Sequence, residues 1–388
     1  MIRRTLELTV KTGARQSPVV AIVGPRQAGK TTLARLAFPK KPYTSLEDAD
    51  TRAFALSDPR GFLAQYPDGA ILDEFQRAPE LPSYLQTLVD EPGREGLFIL
   101  TGSHHFLLME RLTQSLAGRV SINKLLPLSL EELQGAHQLP ATLNALLFTG
   151  GYPRLYEKHL TPTHWLADYV ETYLERDVRL MKNVGDLSTF HKFIRMCAAR
   201  SGQLLNLSAL ANDCGITHNT AKAWLSVLET SFLIFLLPPH HRNFNKRLKK
   251  SPKLYFYDTG LLCHLLGLTK FQELETHAAR GAIFETWVIS ELVKQRVHHR
   301  HPVNLFFWQD KLGREIDCVV DQGGRLTPIE IKAGQTVTED YFSNLKYWSR
   351  LAGEDPRSAY VVYAGPASQS RQGGRVLSWT DLAKIPLP

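Results

Sequence analysis

Three groups of residues in this 388-residue chain have the types and spacing for phosphate chemistry. The first is Gly24-Pro25-Arg26-Gln27-Ala28-Gly29-Lys30-Thr31, followed by Thr32. It satisfies G-x-x-x-x-G-K-[ST] in full, follows the apolar run Val19 to Val23 and opens a helical stretch, which is the context such a loop requires. Its glycines let backbone N–H groups close around phosphate oxygens, and the helix N-terminus adds partial positive charge. Lys30 would then reach the β- and γ-phosphates of ATP, and the Thr31 hydroxyl would hold Mg²⁺. The next apolar run ends in Asp73-Glu74, an acid to complete the Mg²⁺ shell beside one that can polarise a water. That pair makes hydrolysis, rather than binding alone, the expectation. A third run, Leu97 to Leu100, ends in Thr101-Gly102-Ser103, where Ser103 or Thr101 can sense the γ-phosphate. Beyond it, Arg119 is placed to reach a neighbouring subunit's phosphate.

The second group lies in the last third. Alternation along Glu315-Ile316-Asp317-Cys318-Val319-Val320 leaves Glu315 and Asp317 on one face. In Ile329-Glu330-Ile331-Lys332, Glu330 and Lys332 share a face, and Gly323-Gly324 suits a hairpin turn between the two strands. Asp317 and Glu330 can then bind Mg²⁺ while Lys332 orients water for in-line attack on phosphate. Glu285, on an amphipathic helix upstream, can aim at the same metal.

The third group is basic. Leu207 to Leu228 reads helix, Gly215 turn, helix, with Thr217 or Asn219 as the second cap, the pattern of a winged-helix unit. Arg242, Lys246, Arg247, Lys249, Lys250 and Lys253 follow without an acid among them, a run able to track nucleic-acid phosphates. The histidine clusters at 104–105, 240–241 and 298–301 lack acids or cysteines at metal-ligand offsets and read as solvated.

The elements that must position these residues change character along the chain. The first third alternates short aliphatic runs with helical stretches, as a parallel sheet with crossover helices does. Helices dominate from about 130 to 230, and α/β character returns in the last hundred residues. The expected fold class is α/β: a P-loop parallel sheet (1–135), a helical lid (136–195), a winged helix (196–270) and a C-terminal α/β domain (271–388). The 46 Lys and Arg against 38 Asp and Glu favour an anionic partner, nucleotide or nucleic acid. Four scattered cysteines argue against a disulfide scaffold or zinc ribbon and for reduced thiols in a cytoplasmic setting. The start lacks an apolar leader segment, and the longest apolar run is far short of a membrane span.

The strings GPRQAGKTTL, ILDEFQRAPEL, ILTGSHHFLL, SLAGRV, PLSLEEL, GGYPRLY and YLERDV together resemble a prokaryotic group of AAA-family P-loop ATPases that carry a C-terminal domain of unknown function. The resemblance covers essentially the whole chain, with His104 standing where an amide side chain is expected. It implies that Gly151-Tyr152-Pro153 belongs to a lid touching the nucleotide base, that Arg154 is a second sensor, and that subunits assemble into a ring served by Arg119. Glu285, Asp317, Glu330 and Lys332, in that order, resemble the PD-(D/E)xK restriction-nuclease fold. The expected function is therefore Mg²⁺-dependent ATP hydrolysis coupled to action on nucleic acid, DNA first, with cleavage as its sharpest form. The alternative is a nucleotide-dependent switch whose nuclease-like domain only binds.

Overall fold

The computed structural model describes residues 1–90, 95–103, 114–174, 187–240 and 250–387. They fall into two compact units. One comprises Met1–Leu128, Thr230–Phe232 and Val297–Arg300, and the other Ser129–Glu229, Leu233–Arg296 and His301–Pro388.

In the first unit, α1 (Leu6–Gln16) leads into β1 (Val19–Gly24), α2 (Lys30–Ala37), β2 (Tyr43–Ser45), β3 (Ile71–Asp73), α3 (Leu81–Val89), β4 (Phe98–Ser103) and β5 (Val120–Lys124). The strands form one parallel sheet in the order β2-β3-β4-β1-β5. β1 is buried throughout, so its unbroken aliphatic run follows from helices covering both faces. Val20, Ile22, Ile71 and Ile99 pack on one side with Leu6, Val10, Leu33 and Ala34. Val19, Ala21, Leu72 and Leu100 pack on the other with Phe62, Phe75 and Leu85. The carboxyl ends of β1, β3 and β4 lie side by side, where ligands bind in sheets of this kind.

The second unit is helical at first, including α4 (Pro153–Glu157), α5 (Leu187–Ala198), α6 (Leu207–Cys214) and α7 (His218–Thr230). Asn206 caps α6 by accepting from Ala209 N at 3.0 Å, Gly215 ends it in the left-handed region, and the Thr217 hydroxyl caps α7 at Thr220 N, 3.1 Å. Phe190 and Phe193 of α5 meet the Trp224 ring edge-on at 5.2 and 5.4 Å. An antiparallel pair, β6 (Ile234–Leu237) and β7 (Lys253–Phe256), follows. After α8 (Thr259–Leu265) and the long α9 (Arg280–His298) come β8 (Leu305–Gln309), β9 (Glu315–Gln322), β10 (Arg325–Lys332), α10 (Ser343–Ala352), β11 (Tyr360–Tyr363), β12 (Gln369–Arg371) and β13 (Gly374–Ser378). These strands build a mixed sheet ordered β12-β13-β11-β10-β9-β8. β8, β9 and β10 run antiparallel, and β10, β11 and β13 run parallel. Trp348 and Leu345 of α10 pack on Trp308, Ile316, Val319 and Val361 of that sheet.

Two expectations for histidines are corrected. His240 is buried with Nε2 3.3 Å from Asp321 Oδ2, and His298 is buried with Nε2 accepting from Leu126 N at 3.2 Å. Neighbouring strands and helix ends cover both rings, so they are packing residues and not solvated ones. Among the described residues no helix is long and apolar enough to cross a membrane.

Candidate functional site

The phosphate loop begins where β1 meets the chain after β5. A Cβ on Gly24 would lie 2.0 Å from Leu125 O, so only glycine fits there. Gln27 and Gly29 take positive φ, which turns the loop sharply into α2. The buried Lys30 ammonium donates to Gly24 O at 3.1 Å and Pro25 O at 2.8 Å, inside the loop it would serve. Thr31 Oγ1 donates to Asp73 at 3.0 Å, and two further hydroxyls reach the same carboxylate: Tyr43 at 2.8 Å and Thr101 in a short contact. Burial and the Asp73 hydrogen bond push the Tyr43 phenol up to about 12. Thr31 and Asp73 thus present hard oxygen donors at one point, a set that fits Mg²⁺.

Glu74 follows at φ 52°, a left-handed conformation that turns it off the strand, and its carboxylate accepts from Gln76 Nε2. Burial raises its pKa, against the pull of Lys30 and Arg26. A proton acceptor held partly out of water suits activation of a nucleophilic water.

The expectations missed Arg4 and Tyr43. Buried Arg4 donates to Ala28 O at 2.7 Å and Leu126 O at 2.6 Å, bracing the loop from behind. No motif marks it, because its partners are backbone carbonyls. Arg119 pairs with Asp90 at the end of α3. Ser103 closes β4 opposite Gly24, Thr32 is exposed, and His104 lies outside the described residues.

Pro153 and Arg154 belong to the second unit. Pro153 is buried at the start of α4 and Arg154 is exposed. Asp258 sets the preceding turn: its buried carboxylate accepts from Gly151 N at 2.6 Å and Leu261 N at 2.8 Å.

The carboxylate cluster also lies in the second unit. Glu285, Glu315 and Asp317 offer oxygens within 4.8 Å of one another, donors fit for a divalent cation. Pairing of β9 with β10 runs to Ile329↔Cys318, and just beyond it Asp317 Oδ2 accepts from Ile331 N at 2.7 Å. On β10, Lys332 Nζ lies 2.9 Å from Glu330 Oε1, while the buried Glu330 Oε2 takes no hydrogen bond among the described residues. Burial and the Asp317 charge push Glu285 up to about 7 and Glu330 up to about 8. The same electrostatics joins all four expected residues: Asp317, Glu330 and Glu285 each raise the Lys332 pKa, against its burial.

Lys253 requires a correction. It was expected on a solvated basic wing, but β7 is buried along its length. Lys253 Nζ sits 3.0 Å from Glu285 Oε1 and contacts Glu315 Oε1, so it belongs to the cluster. Tyr255, two residues along the same strand, donates to Glu285 Oε1 at 2.6 Å. The shared two-residue period of Lys253 and Tyr255 was the available signal. Lys250 is exposed, and Arg242, Lys246, Arg247 and Lys249 lie outside the described residues.

Comparison with known proteins divides the chain into three segments. An AAA domain matches residues 16–134, a Domain of unknown function (DUF8612) matches 140–272, and a Domain of unknown function (DUF4143) matches 280–382. The uncharacterized protein Rv2008c of Mycobacterium tuberculosis is 31% identical over 337 residues, covering 86% of this chain and 74% of that one. An uncharacterized protein of Haemophilus influenzae is 26% identical over 183 residues, 44% of this chain and 46% of its own. Among solved structures, a Walker-type ATPase of Pyrococcus abyssi is similar at 15% identity, over 67% of this chain and 94% of that one, with a TM-score of 0.46.

Proposed function

From a chain that belongs to the family of the mycobacterial protein Rv2008c and carries an AAA-type P-loop ATPase domain, we propose an ATP-hydrolysing protein that acts on DNA through a metal-dependent, nuclease-like C-terminal domain. The observation that carries the ATPase half is the meeting of Thr31 and Asp73 beside Lys30 and Glu74. Mg²⁺ held by Thr31 and Asp73 would neutralise charge developing on the β- and γ-phosphate oxygens. The loop amides from Arg26 to Thr31 cradle the phosphates, and Lys30 turns from its loop carbonyls onto the γ-phosphate. Glu74 orients the attacking water and accepts its proton.

What supports the second half is the convergence of Glu285, Asp317, Glu330 and Lys332, with one buried Glu330 oxygen left for a ligand. A divalent ion there would polarise a scissile phosphate. Lys332 and Glu330 would hold the attacking water, and Asp317, pinned by Ile331 N, would keep the ligand oxygens in place. The three helices α5–α7 with the β6–β7 pair supply the winged-helix reading, and the basic run before β7 supplies the phosphate contacts. Arg119 acting across a subunit interface completes the proposal for a ring.

The test is cleavage of plasmid and oligonucleotide DNA in Mg²⁺ or Mn²⁺, with and without ATP. Cutting that disappears in Asp317→Ala supports the reading, and no cutting under any condition removes cleavage from it. Replacing Arg242, Lys246, Arg247, Lys249 and Lys250 together should flatten the salt dependence of DNA binding by ~4–5 units, at about 0.9 per duplex phosphate. A second reading, a nucleotide-gated switch with an inactive C-terminal module, draws on one observation: Lys253 already balances part of the cluster. ATP-dependent DNA binding without cleavage would favour it.

A further inference from the structure

We propose that Lys253 is the resident cation of the carboxylate cluster: the site takes a single divalent ion, and the ammonium stands where a second would sit. The inference rests on the metal-site reading above and concerns its charge balance. Glu285, Glu315, Asp317 and Glu330 are four carboxylates set against two ammonium groups, Lys253 and Lys332, a formal −2 when all are ionised. One divalent ion brings that to zero. Without Lys253 the cluster would carry −3.

The geometry divides the cluster in the same way. Lys253 Nζ meets Glu285 and Glu315, Lys332 Nζ meets Glu330 at 2.9 Å, and Asp317, grouped with the first pair of acids and bonded to Ile331 N beside Glu330, links the two halves. On the Lys253 side, Glu285 Oε1 already accepts from Lys253 and from Tyr255. On the Lys332 side, Glu330 pairs with Lys332 and draws on the Asn344 side chain, while its Oε2 meets the geometry of no hydrogen bond among the described residues. An ion would therefore sit at Asp317 and Glu330, and the opposite half is filled by protein.

Lys253 is also built to stay. Its strand is paired with β6 at Leu237 and bridged on its other edge to Leu204. Leu205 N donates to Pro252 O at 2.8 Å and Leu254 N to Gln203 O at 3.1 Å, so backbone bonds on both edges fix the residue. The Phe307 ring lies 5.7 Å from Nζ and walls the ammonium from water. A lysine reaching in from a loop could swing away when metal arrives. Lys253 has its backbone held on both edges and its side chain only 5% exposed, so withdrawing the ammonium means carrying its charge through packed protein.

A purely structural lysine and a resident cation make opposite predictions. If Lys253 only holds its acids together, removing it lets like charges separate and metal binding weakens. If it occupies the place of a cation, removing it relieves repulsion of the incoming ion and binding tightens. The experiment titrates the nucleotide-free full chain with Mn²⁺ and follows free Mn²⁺ by electron paramagnetic resonance. Wild type should take one ion that is lost in Asp317→Ala. Lys253→Met should bind it at least about tenfold more tightly, since a unit charge a few ångströms from a divalent ion is worth that much even when well screened. Lys253→Arg, which keeps the charge, should match wild type. Binding seen only in Lys253→Met would overturn the proposal, because the wild-type site would then take no ion beside the lysine. Unchanged or weaker binding in Lys253→Met overturns the resident-cation role and leaves the metal site standing. Absence of binding in both chains, or an ion count and affinity unchanged in Asp317→Ala, removes the metal site and the inference together. If Lys253→Met does not fold, Glu315→Gln replaces it. Loss of one carboxylate from a balanced site should weaken Mn²⁺ by about tenfold, and unchanged affinity overturns the proposal.

Discussion

The two acidic centres of this chain hold their carboxylates by different means. Around Asp73 the partners are neutral hydroxyls: Thr31, Tyr43 and Thr101. Around Asp317 the acids are crowded together and balanced by Lys253 and Lys332. Hydroxyl dipoles stabilise a carboxylate without cancelling its charge, so a cation and an anionic nucleotide can still be drawn in. Ammonium groups cancel it, and an arriving ion must compete with them. The first centre is open to its cofactor, and the second carries part of its own countercharge. Burial sharpens the contrast, because crowding at the second centre raises Glu285 and Glu330 into the neutral range.

The largest effect that would break this comparison is at Glu74. Glu74→Gln should retain ATP binding and slow hydrolysis by about 10²–10⁴-fold, the usual worth of a positioned general base. Single-turnover ATPase measurements check it, and a wild-type rate would take the base role from Glu74. Next comes Lys30→Ala, which should weaken ATP binding about 10–100-fold through loss of charge-assisted contacts to phosphate. Titration with a fluorescent ATP analogue reads it, and DNA cleavage without ATP should be unaffected.

A third test uses pH at the second centre. Glu285 has a folded-state pKa raised to about 7, so its protonated form favours folding at low pH and that contribution is lost as pH rises through 7. Glu285→Gln keeps the neutral side chain at every pH. In metal-free buffer it should therefore gain on wild type between pH 5 and pH 8, by on the order of 1–2 kcal/mol. Thermal melts at the two pH values measure the difference, and a constant offset would refute the raised pKa. The smallest effect is expected from Tyr43→Phe. Loss of one of the three hydroxyls on Asp73 should weaken Mg²⁺-dependent ATP binding by about 2–10-fold, the range for a single net hydrogen bond. Binding without Mg²⁺ should not change.

The parts of these sites that were legible before the structure are contiguous in the chain. The loop from Gly24 to Thr31, the strand ending in Asp73-Glu74, the Gly215 turn and the Thr217 cap of α7 depend on steric and hydrogen-bonding rules that act over a few residues. The hairpin of β9 and β10 was legible too, since alternation and a Gly-Gly turn mark two paired strands. Lys253 shows where such reading stops. It ends a run of basic residues, and nothing local says that β7 will bury it against Glu285 and Glu315. Glu330 likewise lies on the polar face of its strand by pattern, yet is only 3% exposed.

What the sequence alone determined was therefore the chemistry available: a phosphate loop, its paired acids, a helix pair joined at a glycine turn and a set of carboxylates with a lysine. Backbone sterics and short-range hydrogen bonds settle those features almost wherever the segment is placed. Tertiary structure alone decided the electrostatics: which lysine neutralises which acids, which hydroxyls gather on Asp73, and that Arg4 braces the loop from more than twenty positions away. Desolvation and Coulomb energy depend on what is packed within a few ångströms, and those neighbours come from segments that meet only once the chain has folded.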